Sequence, residues 1–465
     1  MNDWSRILRF VKSSGIYLIG NVLSKALIFF MLPIYTRYIP TGDMGVYDIS
    51  ITYLNMLTSV VYFEMWTAVL RYLYDAQDPD RKRAVENAGL ALFFLASVLY
   101  ALAGLALGMA LGQKYLGWIL LYGFMLGMTN IMSFCARGMG RNMDFAVSGV
   151  VNVLVNVCAH IVLIVFMGVD YSAMYIAFAL GALGQILYLE GKTGSIRAFS
   201  LRALDHPLTR SMFRYALPFC ANTVAYWFLS SFNRIVVNLR FGDSFSGIYA
   251  VGNKFGMLIT LVTTCFTYAW QDVAFSYESD RQRDPHFYSK STSLYFRFLL
   301  SGFILLLPAV KPVFSVLVDR SYEAAESYIS LFMLVATISA LNGFVGNIFN
   351  SIKSTASVFV STVVAAVVNC AIAFPLVGFL GIDGANWAAL IGFAASILIR
   401  SALLKRKIGY RMDVRVVLAL ALMCMLNLFL YARLDGVSTL WLYLINLPAG
   451  IFLMKGKIWG EGFDR

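Results

Sequence analysis

Arg234, Lys254 and Lys25 are fixed positive charges set inside stretches of otherwise apolar sequence. A charge at membrane depth costs about 2.5–3.5 kcal/mol or more, so it usually faces a bundle interior or a wet cavity. Arginine offers an anionic ligand a planar two-pronged fork and lysine a compact ammonium, and both suit phosphate oxygens. Asn222, Tyr226, Ser230 and Arg234 follow one another at intervals of four, which predicts one shared face on a helix over 213–240. Asn233 lies beside that face, a turn over Gly242 to Gly247 leads to Lys254 on the next helix, and Asn21 shares a face with Lys25. The expected substrate-binding set is therefore Lys25, Arg234, Lys254, Asn21, Asn222 and Asn233. Two plainer readings stand beside it: Lys25 paired with a carboxylate such as Glu64, and Arg234 and Lys254 reaching the outer headgroups.

Coupling transport to an ion gradient needs a titratable group within the membrane. Glu64, Asp48 and His160 are the candidates, with Asp272 near an inner helix end, although His160 also reads as a packed core histidine. Polar residues recur on single faces: Asp48, Thr52, Asn55, Ser59 and Tyr62 on the second helix, and Ser148, Asn152, Asn156 and His160 on the fifth. Such stripes either hold helices together or line a polar cavity. No phosphate-binding loop ends in Gly-Lys-Ser or Gly-Lys-Thr, so direct ATP use is not expected. With three histidines and no acidic pairs in the loops, no metal site, catalytic residue or cofactor is expected. The six cysteines all lie in apolar segments and predict packing rather than disulfides.

The elements that position these residues are transmembrane helices. The chain is 60% hydrophobic and 13% charged over 465 residues, with mean hydropathy +0.72. Apolar segments of about 20 residues recur throughout, and no room remains for a large water-soluble domain. Fourteen spans are expected, near 14–37, 45–70, 86–110, 115–136, 146–168, 172–190, 213–240, 247–271, 291–311, 327–349, 355–378, 384–404, 414–432 and 438–455. The net charge of +12 reports orientation rather than a nucleic-acid partner. With the N-terminus in the cytoplasm, 28 of the 37 lysines and arginines fall at inner ends and loops and six outside. An even number of spans returns the C-terminus to the same side.

Shifting the sequence on itself by 213 residues aligns Val147–Asp170 with Val360–Asp383 without a gap, and ten of the 24 positions are identical. Ser148 meets Ser361, Asn156 meets Asn369, Gly168 meets Gly381 and Asp170 meets Asp383. A second echo pairs Gly45-Val46-Tyr47 with Gly247-Ile248-Tyr249. With six helices in each half, both halves start on the same side of the membrane, and the repeats are parallel. The predicted architecture is an all-α polytopic membrane protein with about fourteen transmembrane helices: two parallel six-helix lobes, 1–200 and 201–410, around a central cavity, and two further helices over 411–465. Those last two carry almost no polar stripe and are expected at the periphery.

The opening Phe10-Val11-Lys12 leads into a helix ending Leu32-Pro33-Ile34-Tyr35-Thr36-Arg37-Tyr38. With the segment from Gly247 to Lys254 and the parallel repeat, this resembles the polysaccharide flippases of the multidrug/oligosaccharidyl-lipid/polysaccharide exporter superfamily over essentially the whole chain. The resemblance implies a non-enzymatic flippase of a bacterial cytoplasmic membrane. It would move an undecaprenyl-pyrophosphate-linked oligosaccharide from the inner to the outer leaflet by alternating access, for cell-surface polysaccharide synthesis. Its partners would be that lipid-linked substrate, the bilayer and polysaccharide assembly proteins, and the cavity needs no second subunit. The family often has Asp-Arg where this chain has Asn233-Arg234. An ion-coupled multidrug antiporter of the same superfamily is the alternative, although three deep cations disfavour cationic drugs. A membrane-embedded glycan polymerase or ligase is the alternative from another class.

Overall fold

A computed structural model describes residues 29–279, 285–352, 354–410 and 414–454. Among them every regular element is helical. The α-helices are α1 (Leu32–Tyr38), α2 (Thr41–Val61), α3 (Met65–Asp75), α4 (Pro79–Ala110), α5 (Leu116–Gly138), α6 (Asn142–His160), α7 (Ser172–Thr193), α8 (His206–Ser230), α9 (Phe232–Phe241) and α10 (Asp243–Ser279). They continue as α11 (Pro285–Leu317), α12 (Glu326–Ser351), α13 (Thr355–Leu380), α14 (Ile382–Ile408), α15 (Val414–Arg433) and α16 (Tyr443–Met454). Among the described residues the expected spans from the second onward coincide with helix, and most of the first, 14–37, lies outside the described residues. Eight helices among the described residues are long and apolar enough to cross a membrane, so the chain is a multi-pass membrane protein. α4, at 32 residues, is roughly 48 Å long at 1.5 Å per residue, more than the ~30 Å of hydrocarbon. Its Leu95, Val98 and Leu102 are 61–72% exposed, as suits side chains that face lipid.

Two expected spans depart from continuous helix. The second is interrupted at Phe63 and Glu64, both in the left-handed region at φ 53°, which divides it into α2 and α3. The seventh is interrupted at Ser231, where φ is −122°, which divides it into α8 and α9. Arg234 therefore does not continue the helical face of Asn222, Tyr226 and Ser230. Neither break contains glycine or proline, so chain punctuation gave no notice of them.

The chain forms two compact units, Met1–Ile39 with Val46–Trp227 and Pro40–Gly45 with Phe228–Arg465. In unit 1 the core is partly aromatic: Tyr62 stacks on Phe93 and Tyr100 at 5.2 and 5.4 Å between centroids. In unit 2, Val236, Val237, Tyr249, Phe332, Val377 and Ile382 pack with alanines of α13 and α14. The sequence repeat has a structural counterpart in each unit. Gly168 and Gly381 hold matching left-handed φ values of 63° and 64°. A methyl group on Gly181 would press on Asn152 and Asn156, and one on Gly392 would press on Ala365 and Asn369, the positions 213 residues later.

The last two helices are anchored in unit 2 by polar bonds between residues far apart in sequence. α11 contains Pro308 and Pro312. Each proline removes the N–H that would have bonded four residues back, leaving the carbonyls of Ile304 and Pro308 without a helical donor. Asn446 on α16 donates through Nδ2 to Ile304 O at 2.7 Å, and Thr439 donates to Pro308 O at 2.8 Å. Both side chains are at most 1% exposed. Lys311 adds a third tie, donating to Leu434 O at 2.5 Å and lying 4.8 Å from the Tyr431 ring centroid. Replacing Asn446 with Leu is expected to cost about 1–3 kcal/mol, because a buried carbonyl loses its donor. Thermal unfolding of the detergent-purified variant checks this, and Pro308→Ala on the Asn446→Leu background should recover part of the loss.

Candidate functional site

Of the expected substrate-binding residues, Asn21 and Lys25 lie outside the described residues. In unit 2, Arg234 sits in the first turn of α9 and Lys254 in the fourth turn of α10, and both side chains are half-buried. A half-buried guanidinium and ammonium on helices rich in Phe, Val and Leu can each present charge to an anionic ligand. Asn222, on α8 in unit 1, is half-buried, and its Oδ1 is enclosed yet accepts no hydrogen bond.

Asn233 sits differently, 2% exposed within unit 2. Its amide pairs reciprocally with that of Asn369, each Nδ2 donating to the other's Oδ1 at 3.1 Å. It also donates to Ala385 O at 2.7 Å, while Asn369 donates to Phe228 O at 3.0 Å. The pair thus joins α9, α13 and α14, and its donors are committed to protein acceptors.

The ion-coupling candidates separate in the same way. His160 is fully buried, with Nδ1 2.8 Å from Asn156 O. Its ring meets Tyr35 and Phe178 edge-on at 5.2 and 5.4 Å. This is the environment of a packed core histidine. Asp48 is half-buried on α2. Asp272 belongs to α10, and its side chain lies outside the described residues. Glu64 stands at the break between α2 and α3, with its backbone in the left-handed region.

Much of the polar stripe on α6 is committed to helix packing. Asn152 donates to Gln185 Oε1 at 2.7 Å, and Gln185 donates to Ser133 and Ser148 at 3.1 and 3.3 Å. In unit 2 the repeat-equivalent serine, Ser361, accepts instead from Arg400 Nε at 3.0 Å. Arg400 also donates to Asn342 O at 2.5 Å and Thr362 Oγ1 at 3.0 Å, and is 3% exposed. In the sequence it counts among the charges expected at inner helix ends. In the fold it clamps α12, α13 and α14 together, and Gly346 leaves the space its guanidinium fills. An apolar groove of about 420 Å³ runs between α2, α4 and α5 of unit 1, lined by Leu54, Leu57, Val60, Leu107, Leu116 and Leu120 among others. At one end Ser50 donates to Gln113 Oε1 at 2.6 Å. Such a lining accepts a hydrocarbon chain.

In unit 1, beyond the ends of α4 and α6, Tyr115 donates to Asp170. Burial opposes ionisation of Asp170, but the bonds from Tyr115 and Ser172 and the charge of Lys114 outweigh it and hold the carboxyl below the ordinary aspartate range.

Residues 10–271 match the family model described as polysaccharide biosynthesis protein. Among solved structures the fold is similar to the lipid II flippase MurJ in an inward closed conformation. The TM-score is 0.71 at 14% identity, covering 94% of this chain and 97% of that one. It is also similar to a multidrug resistance MATE family transporter of the MOP superfamily in an inward-facing conformation, with TM-score 0.68 at 16% identity over 85% of this chain and 95% of that one. The outward-facing MATE structure gives 0.62 at 15% identity over 88% and 96%. A sequence search of curated proteins gives no match.

Proposed function

From the chain's membership of the polysaccharide biosynthesis protein family, within the multidrug/oligosaccharidyl-lipid/polysaccharide exporter superfamily, we propose that it is a flippase for a lipid-linked oligosaccharide. The cargo is an undecaprenyl-pyrophosphate glycan carried from the inner to the outer leaflet of a bacterial cytoplasmic membrane by alternating access, with both termini in the cytoplasm. The observation that carries this reading is the pair of half-buried cations, Arg234 and Lys254, on membrane helices of one unit. A pyrophosphate needs such charge, and a cationic drug would be repelled by it. The apolar groove of unit 1 supports the same reading, since the cargo trails a long hydrocarbon chain. No step requires covalent chemistry, and the residues assigned here bind rather than react.

The test is transport of a labelled undecaprenyl-pyrophosphate oligosaccharide by the purified full chain in proteoliposomes. The wild type should expose the glycan on the opposite leaflet. Arg234→Gln and Lys254→Gln should each weaken this roughly tenfold or more, as expected where a hydrogen bond to a charged group worth about 1.5–3 kcal/mol is lost. Transport unchanged in both variants would remove these residues from the site. No protein-dependent transport of the glycan, together with export of a fluorescent cation, would establish the multidrug antiporter instead.

A further inference from the structure

One face of α13 is built from residues four apart, Ala365, Asn369, Ala373 and Val377, all fully buried in unit 2. Three of them are apolar and pack with the seventh span. Ala365 shares a core cluster with Leu229, in the last turn of α8, and with Ala389 and Phe393. Ala373 and Val377 share another with Val236 and Val237 of α9. Asn369 stands between these two contacts, level with the break at Ser231, and its amide bonds on both sides of that break. Nδ2 donates to Phe228 O at 3.0 Å and to Asn233 Oδ1 at 3.1 Å, and the Cys370 thiol approaches the same Phe228 carbonyl at 4.0 Å. Carbonyls in the last turn of a helix need donors from outside it, and α13 supplies them here. Asn233 returns a bond to Asn369 Oδ1 at 3.1 Å and donates to Ala385 O at 2.7 Å. Each Nδ2 carries two hydrogens, so the donors of the pair are all used. Turning either amide over would set its oxygen against a backbone carbonyl, which leaves one arrangement.

We propose that Asn369 is a positioning residue for Arg234: acting through Asn233 and the Phe228 carbonyl, it holds the break at Ser231 and so fixes the phase in which α9 presents its guanidinium to an anionic ligand. This rests on the reading of Arg234 as a pyrophosphate-binding residue. Because α9 starts afresh after Ser231, Arg234 falls in a first helical turn, and that turn contains no acidic residue. A cation at this end of a helix opposes the helix dipole, an arrangement that a bound anion relieves. Apolar packing does not set the phase by itself. The contacts of Leu229, Val236 and Val237 with alanines are non-directional and let α9 turn about its axis, whereas four hydrogen bonds between defined atoms do not. A polar residue on an otherwise apolar buried face costs stability and specifies register. With Asn369 replaced, α13 keeps only the weak thiol contact to the break. Residues 228–232, none of them glycine or proline, can then rejoin a regular helix and carry Arg234 to a different phase.

The experiment takes two readouts from the full chain in lipid nanodiscs. The first is the distance between spin labels carried by unnatural amino acids at Leu239 and Val360, both exposed, on α9 and α13, which leaves Cys370 in place. The second is binding of farnesyl pyrophosphate, a short polyprenyl pyrophosphate. The wild type should give one narrow distance. Asn369→Ala should displace or broaden it and weaken binding roughly three- to tenfold. In an Arg234→Gln protein, itself weakened in binding, the same alanine should still move the distance but leave binding where it was, because Asn369 reaches the ligand through the guanidinium. Asn233→Ala should reproduce the effects of Asn369→Ala, and the double variant should add little to either. Should Asn369→Ala fail to fold, Asn369→Ser, whose short hydroxyl cannot bond on both sides of the break, carries the same expectations. A distance unchanged in the Asn369 variant, or binding that it weakens equally with and without Arg234, would overturn the proposal and leave the pyrophosphate reading of Arg234 standing. Binding untouched by Arg234→Gln would overturn that reading, and the positioning role with it, even where the distance moves.

Discussion

Alanine at Gly45 or at Gly247 is expected to destabilise the protein by about 3 kcal/mol, and alanine at both by clearly less than the sum. The two glycines face one another within unit 2, where the first turn of α2 crosses the first turn of α10. A methyl group on Gly45 would lie 1.8 Å from Asp243 O, and one on Gly247 would lie 1.9 Å from Thr41 O. Both obstacles are backbone, so no side-chain rotation relieves them and the helices must move apart. Overpacking commonly costs about 1–3 kcal/mol, and a collision with main chain belongs at the upper end. Once the first alanine has separated the helices, the second enters space already opened, which predicts a favourable coupling between two sites in direct contact. Thermal unfolding of the two single variants and the double variant in one detergent measures all three terms. Neutral single variants, or strict additivity, would mean that the helices do not approach as closely as the geometry requires.

That crossing shows what the sequence makes legible. Gly45-Val46-Tyr47 and Gly247-Ile248-Tyr249 stand out as an echo because the same steric problem, two backbones in contact, has the same answer in both halves. The spans are legible for a comparable reason: in lipid every helix must be apolar over its length, so hydropathy alone marks it. What stayed hidden was of three kinds. The breaks at Phe63, Glu64 and Ser231 occur at residues that normally continue a helix; at the first of them the tertiary contacts are Phe63 against Phe213 and the Cys220 thiol on the carbonyls of Ser59 and Val60, which lie far off in sequence. The carbonyls freed by Pro308 and Pro312 could be inferred from the prolines alone, but their donors, Asn446 and Thr439, lie 142 and 131 residues away. Asn233 looked like a polar group available to substrate, whereas its partner Asn369 is 136 residues distant. A stripe of amides reads identically whether it lines a cavity or seals a helix junction, and only the partner atoms distinguish the two.

Arg400 is the most consequential of the residues hidden in this way, and the larger effect there should come from its acceptors rather than from the arginine itself. A guanidinium at 3% exposure has left water and headgroups behind and relies on the oxygen atoms around it. Ser361, Thr362 and Asn342 O each accept one of its bonds. Removing the hydroxyls in Ser361→Ala with Thr362→Val leaves the charge buried and two of these bonds unmet, each worth about 1.5–3 kcal/mol for a charged donor, so roughly 3–6 kcal/mol together. Removing the charge is a different operation. Ser361 and Thr362 also donate to Val358 O, each at 2.8 Å, so they keep a bond when the guanidinium is gone. Methionine can occupy a comparable volume without demanding acceptors, and replacing buried charges with apolar groups of similar size is often neutral or stabilising. Arg400→Met alone should therefore cost less than the double hydroxyl deletion, and adding it to that deletion should restore stability. The reverse order, with Arg400→Met the more damaging change and no rescue in the triple variant, would mean that the charge itself is required where it sits. Arg400 would then have a part in the protein's function beyond clamping three helices, and loss of transport in a folded Arg400→Met protein would identify it.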